Sequence, residues 1–104
     1  MTKISRIPLD PIKMRALHDT FCAAIGSLRS RVEIEEFLFG ILTPTERKML
    51  AKRLTIAKML LHNAKYHDYR DAVRVTNGTI AHVQSFLYMH GDGMRRIIKK
   101  LKNL

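Results

Sequence analysis

The sequence predicts an all-α protein of about six helices. Three observations support this. Apolar residues recur at three- and four-residue steps along most of the 104-residue chain. Two helix-start signatures, Asp10-Pro11 and Thr43-Pro44, stand where such stripes begin. The one hairpin signal, Asn77-Gly78, lies between flanks that do not alternate apolar with polar.

The elements follow in order. Residues 1–9 are polar, basic and unpatterned, and are expected to form a flexible arm. Asp10 then caps a helix with Pro11 at its first position, and Met14, Leu17, Phe21, Ala24 and Leu28 form its apolar stripe. Ser30 caps a second helix with Ile34, Phe37, Leu38 and Ile41 on its inner face. Glu33, Glu35 and Glu36 sit early in it, where acids suit the helix dipole. Phe37-Leu38-Phe39 is apolar nearly all round, so this helix is expected to be buried on more than one side.

The third helix has the clearest start, Thr43-Pro44-Thr45-Glu46. The spacing predicts a capping box, in which the hydroxyl and the carboxylate each satisfy a backbone N–H of the first turn. Met49, Leu50, Leu54, Ala57, Leu60 and Leu61 carry one apolar face to about His62, opposite Arg47, Lys48, Lys52 and Lys58. Shorter elements follow. One helix spans about Tyr66 to Val73, and a turn lies at Arg74 to Thr76. The next helix has Ile80, Val83, Phe86 and Leu87 at helical spacing. Gly91-Asp92-Gly93 is expected to end it. A last helix turns Met94, Ile97, Ile98 and Leu101 inward and Arg95, Arg96, Lys99, Lys100 and Lys102 outward.

Lys plus Arg number 19 against 9 Asp plus Glu, a net charge of +10 that points to a polyanionic partner. Hydrophobic residues make up 46% of the chain, too many for a disordered tail. Cys22 is the single cysteine, so no internal disulfide is expected, and its place beside an apolar stripe suggests a buried, inert thiol. There is no signal-peptide pattern at the start and no apolar run of spanning length, which fits a cytoplasmic setting. His18, His62, His67, His82 and His90 make no metal-ligand spacing with one another or with cysteine. No glycine loop cradles a phosphate. An enzyme is therefore not expected, nor a metal or a cofactor.

Two short helices joined by a tight turn form a helix-turn-helix, here at about residues 66–89. The motif needs apolar groups at fixed positions to hold its helices crossed, and Tyr69, Val73, Val75, Ile80 and Val83 occupy them. Arg70 replaces the usual small residue, and Arg74 replaces the usual turn glycine, at a strain cost if φ is positive. The second helix of such a motif enters the major groove by its first turns. Thr76, Asn77, Gly78, Thr79 and His82 would face the bases, with side chains suited to adenine, thymine methyls and acceptor edges. Lys65, Tyr66, His67, Arg70 and Arg74 flank that face and would hold phosphates.

Leu42-Thr43-Pro44-Thr45-Glu46-Arg47, Arg53, the Leu60-Leu61 pair and the two short helices to Thr79-Ile80 resemble the Trp repressor family. The Leu87 to Gly93 stretch is more similar to that family's bacterial relatives of unknown ligand. The resemblance has motif-level quality over about half the chain, and the helix order fits the remainder. It implies one domain over residues 10–104 and an interlocked homodimer presenting two reading heads to double-stranded DNA. It also implies a sequence-specific regulator, expected to be a repressor and to lie with the bacterial nucleoid. Of the family's tryptophan pocket, Thr43 and Arg53 are retained. His82 stands in place of an arginine that stacks on the indole, Val83 in place of a glycine, and Phe86 in place of a serine. The chain is also one residue shorter near Asn63 to Lys65. Thr43, Arg53 and His82 thus mark an effector pocket in which tryptophan is not expected. The alternative reading is a non-enzymatic interaction protein whose basic helix, Met94 to Leu104, binds another macromolecule or an anionic membrane surface.

Overall fold

Helix-start chemistry sets the element boundaries. A computed structural model describes residues 7–101, apart from the side chain of Tyr66, and they form six helices. These are α1 (Pro11–Gly26), α2 (Arg31–Ile41), α3 (Pro44–Leu61), α4 (Tyr66–Val73), α5 (Asn77–His90) and α6 (Asp92–Lys100). The expected arm lies outside the described residues up to residue 6, and so does Lys102. The Asp10 carboxylate accepts from the Ile12 N–H at 2.8 Å, and the Ser30 hydroxyl from the Glu33 N–H at 3.1 Å. The α3 capping box closes both ways: Glu46 N–H donates to the Thr43 hydroxyl at 3.1 Å, and Thr43 N–H to the Glu46 carboxylate at 2.8 Å. Gly91 alone separates α5 from α6. Asp92 and Gly93, expected to be part of the break, belong to the first turn of α6.

The chain divides into two compact units, one ending at Arg47 and the other beginning at Lys48, with α3 starting in the first and running into the second. In the first unit no described residue is buried. The stripe on α1 is there, but Met14 is 53% and Leu17 57% exposed. The expected burial of α2 on several sides does not occur within the chain: Phe37 is half-buried, while Ile34, Leu38, Phe39 and Ile41 are exposed. Local contacts remain. The Phe21 and Phe37 rings lie 6.4 Å apart, and the Arg47 guanidinium sits 4.3 Å above the Phe39 ring. Cys22 is exposed rather than buried, because it falls beside the stripe; its Sγ is 3.5 Å from His18 Nε2.

The second unit has a true core of Ile56, Ala57, Tyr69, Val83, Leu87 and Ile98, drawn from α3, α4, α5 and α6. Met59, Leu60, Leu61, Val73, Val75, Ile80 and Met94 pack around it. Ile56, absent from the expected apolar face of α3, is fully buried. Leu50 and Leu54, which define that face in the sequence, are exposed. On α6, Ile98 is buried and Met94 and Leu101 half-buried, but Ile97 is exposed and Arg95 is half-buried rather than turned to solvent.

Two turns fix the direction of the chain. After α3, Ala64 N–H donates to the Met59 carbonyl at 3.0 Å and Asn63 N–H to the Leu60 carbonyl at 3.1 Å. This Schellman pattern puts Asn63 at φ 57°, which asparagine tolerates. After α4, Arg74 stands in the left-handed region at φ 53°, ψ 63°, its N–H bonded to the Tyr69 carbonyl at 3.1 Å. At Gly91 a Cβ would collide with the Leu87 carbonyl and lie 2.6 Å from Arg95 Nη1, so the α5–α6 joint has room for glycine only.

Arg74→Gly should relieve left-handed strain of about 1–2 kcal/mol, less the added entropy of the unfolded glycine. A net gain of about 0.5–1 kcal/mol in urea denaturation is expected. Tyr69 offers a second test. Its buried hydroxyl has no hydrogen-bond partner among the described residues, and burial, then the Asp68 carboxylate, push its pKa above the ordinary 10.0. As pH rises through 10.0 the unfolded chain loses the phenolic proton first, so stability falls from there toward the higher folded value. Tyr69→Phe should be as stable as wild type or more so at neutral pH. Denaturation curves recorded above pH 10.0 should show that it escapes this tyrosine's share of the alkaline loss.

Candidate nucleic-acid interface

The α4–turn–α5 segment is built on the core of the second unit. Tyr69 of α4 and Val83 of α5 are buried, and Val73, Val75 and Ile80 half-buried. The five positions that a helix-turn-helix needs apolar thus turn inward together. Arg74 completes the turn, as its place in the motif predicts, at positive φ.

The start of α5 is held by its own cap. The Thr76 hydroxyl accepts from Thr79 N–H at 3.3 Å, and the two threonine hydroxyls are 3.2 Å apart. Thr76 is therefore committed to the helix end. Asn77, Gly78, Thr79 and His82 are exposed within the first two turns of α5. Gly78 has no positive φ, and an added Cβ would meet only Thr76 Oγ1, at an ordinary 3.7 Å. The fold does not require glycine there; the effect of the missing side chain is an open backbone on the outer surface.

The flanking cations are also exposed, but two have carboxylate neighbours that the sequence reading left out. His67 Nε2 is 3.3 Å from Asp68 Oδ1, and Arg70 Nε is 3.3 Å from Asp71 Oδ1. Lys65 N–H donates to Asp68 Oδ2 at 2.9 Å, so Asp68 serves chiefly as the start signal of α4. The acids at 68 and 71 were legible as counter-charges within one turn of the cations they meet. The side chain of Tyr66 lies outside the described residues.

Of the expected effector residues, Thr43 is engaged in its capping box. Arg53 and His82 converge on a third side chain, Phe86. The Arg53 guanidinium is 5.8 Å from the Phe86 ring centroid, and the His82 ring meets it edge-on at 4.9 Å. An aromatic side chain of the protein itself thus lies near the guanidinium.

Among the described residues no cluster of three or more His, Cys, Asp or Glu can hold a metal ion. No described helix is long and apolar enough to cross a membrane. On the apolar side of α6, Ile98 belongs to the core and Met94 packs against it, while Ile97 is exposed.

Comparison with curated proteins and with solved structures gives no significant match in either. The family model described as Trp repressor protein matches residues 16–102, most of the chain and the whole reading head. The chain belongs to the Trp repressor family of helix-turn-helix DNA-binding regulators.

Proposed function

We propose that this protein is a sequence-specific transcriptional repressor that binds double-stranded DNA as a homodimer and does not use tryptophan as effector. The observation that carries the reading is the α4–turn–α5 unit. Its inner face is fixed over Tyr69 and Val83, while the polar start of α5 is left exposed. Such a helix start docks in the major groove. Asn77, Thr79 and His82 then meet base edges, and bare Gly78 lets the helix backbone approach. Lys65, His67, Arg70 and Arg74 hold phosphates, and Asp68 and Asp71 give up their contacts with His67 and Arg70 as the duplex arrives. The recognition face contains no Lys or Arg, so affinity rests on the phosphate contacts and selectivity on a few neutral side chains. Binding DNA places the protein with the nucleoid in the cytoplasm.

Dimerisation is supported by the first unit. Helices α1 and α2 together carry an apolar surface that is left largely exposed, with no residue of either helix fully buried. Helices of 16 and 11 residues without burial are marginal in water. A second copy supplies matching apolar faces. Two features support the reading against tryptophan: the Phe86 ring lies 5.8 Å from the Arg53 guanidinium, and His82, which stands in place of a stacking arginine, meets that ring edge-on.

Selection from a library of random duplexes, at low and moderate salt, should enrich a palindrome. Against that site, Asn77→Ala and Thr79→Ala should each cost about 1–3 kcal/mol and relax one base position. Arg70→Gln should weaken all sequences alike and reduce the salt slope by about one unit. Gly78→Ala should leave stability unchanged or improved, yet weaken binding, because its added methyl stands at the docking surface. Salt-sensitive binding with no enriched sequence would overturn the reading. Sedimentation should give a dimer whose melting temperature rises with concentration, and Leu17→Glu should convert it to a poorly folded monomer.

A further inference from the structure

The second unit contains a cavity, distinct from the DNA-reading surface, between the end of α3 and α6. It has a volume of about 610 Å³. Its polar lining is wholly basic: Lys58 and His62 from the end of α3, Arg95 and Lys99 from α6. Its remaining lining is apolar, from Leu61, Ile98 and Leu101. Lys58 and Arg95 are half-buried, and among the described residues none of the four basic side chains has an ion pair. Arg95 lines the cavity, and its Nη1 lies 2.6 Å from the position a Cβ would take at Gly91, the residue that joins α5 to α6.

We propose that this cavity binds a small amphipathic anion, a carboxylate carried on a compact apolar body. The volume lies in the range of small-molecule sites. Partly desolvated cations without carboxylates favour an anion, and a guanidinium favours a planar carboxylate that it can grip by two N–H groups. Leu61, Ile98 and Leu101 bury the apolar body, which separates this ligand from a bare inorganic anion and from a nucleic-acid phosphate. The site shares no residue with Asn77, Thr79, Arg70 or the Arg53–Phe86 stack, so it stands whether or not the DNA reading holds.

The test uses the full chain and octanoate as probe, with acetate lacking the tail and 1-octanol lacking the charge. Methyl NMR titration should move the signals of Leu61, Ile98 and Leu101. Octanoate should bind about tenfold more tightly than either control, since each half of the site adds at least one such factor. Arg95→Gln should weaken octanoate about tenfold while leaving 1-octanol unchanged. Lys99→Gln, at an exposed position that the fold does not use, should weaken it in the same direction and guards against a folding defect in the first variant. Equal affinity for octanoate and 1-octanol, shifts confined to α1 and α2, or no binding at millimolar concentration would overturn the proposal. So would intermolecular contacts showing that Glu33, Glu35 or Glu36 of a second copy fills the cavity. DNA binding recorded on the same samples separates this outcome from that of the repressor reading.

Discussion

The packing of Ile56 and Ala57 is the contact on which the rest depends. Both are fully buried, and Tyr69, Val83, Leu87 and Ile98 close around them from three other helices. Ala57 allows neighbouring backbones to come close, while Ile56 supplies bulk. At about 25 cal/mol per Å² of apolar area removed from water, six buried side chains make a small reserve. That reserve holds the crossing of α4 and α5, and hence the direction in which Asn77 and Thr79 point. A loss in this core would therefore disturb the exposed start of α5 without any change in its own residues.

The first unit follows a different economy. Its helices have well-made caps at Asp10 and Ser30 and exposed i,i+4 ion pairs, Arg15–Asp19 and Arg31–Glu35. Exposed pairs of this kind are worth a few tenths of a kcal/mol each. Neither caps nor pairs replace burial. The stripe on α1 and the aromatic run on α2 are chemically suited to an interior that one chain does not provide, which is why a second copy enters the proposed function.

Local chemistry was the legible part of the sequence. Capping residues fixed the starts of α1, α2 and α3, and the spacing of Tyr69, Val73, Val75, Ile80 and Val83 fixed the crossed pair. Arg74 could be read as a strained turn because its motif position demands positive φ. What the pattern misjudged was which side of a helix meets which neighbour. On α3 the regular stripe through Leu50 and Leu54 is exposed, and Ile56, one position off that stripe, is the centre of the core. Periodicity reports the average apolar direction of a helix, not the position at which a neighbour is met. Cys22 was misplaced in the same way. On α6, Arg95 was assigned to solvent by its charge, although a long side chain can lie along a wall and keep only its head near water. The Arg53–Phe86–His82 grouping was visible only as one retained and two altered pocket positions; that they meet one another is tertiary information.

Gly91 has a mechanical consequence. A joint between two helices usually bends because its residues have clearance. Here the Leu87 carbonyl and the Arg95 side chain would crowd any side chain at the single linking residue, and Leu87 and Ile98 are buried in one cluster on either side of it. Helices α5 and α6 therefore meet at a joint that only glycine fits, with one shared core on either side of it. Any side chain added at Gly91 would have to displace both helices at once.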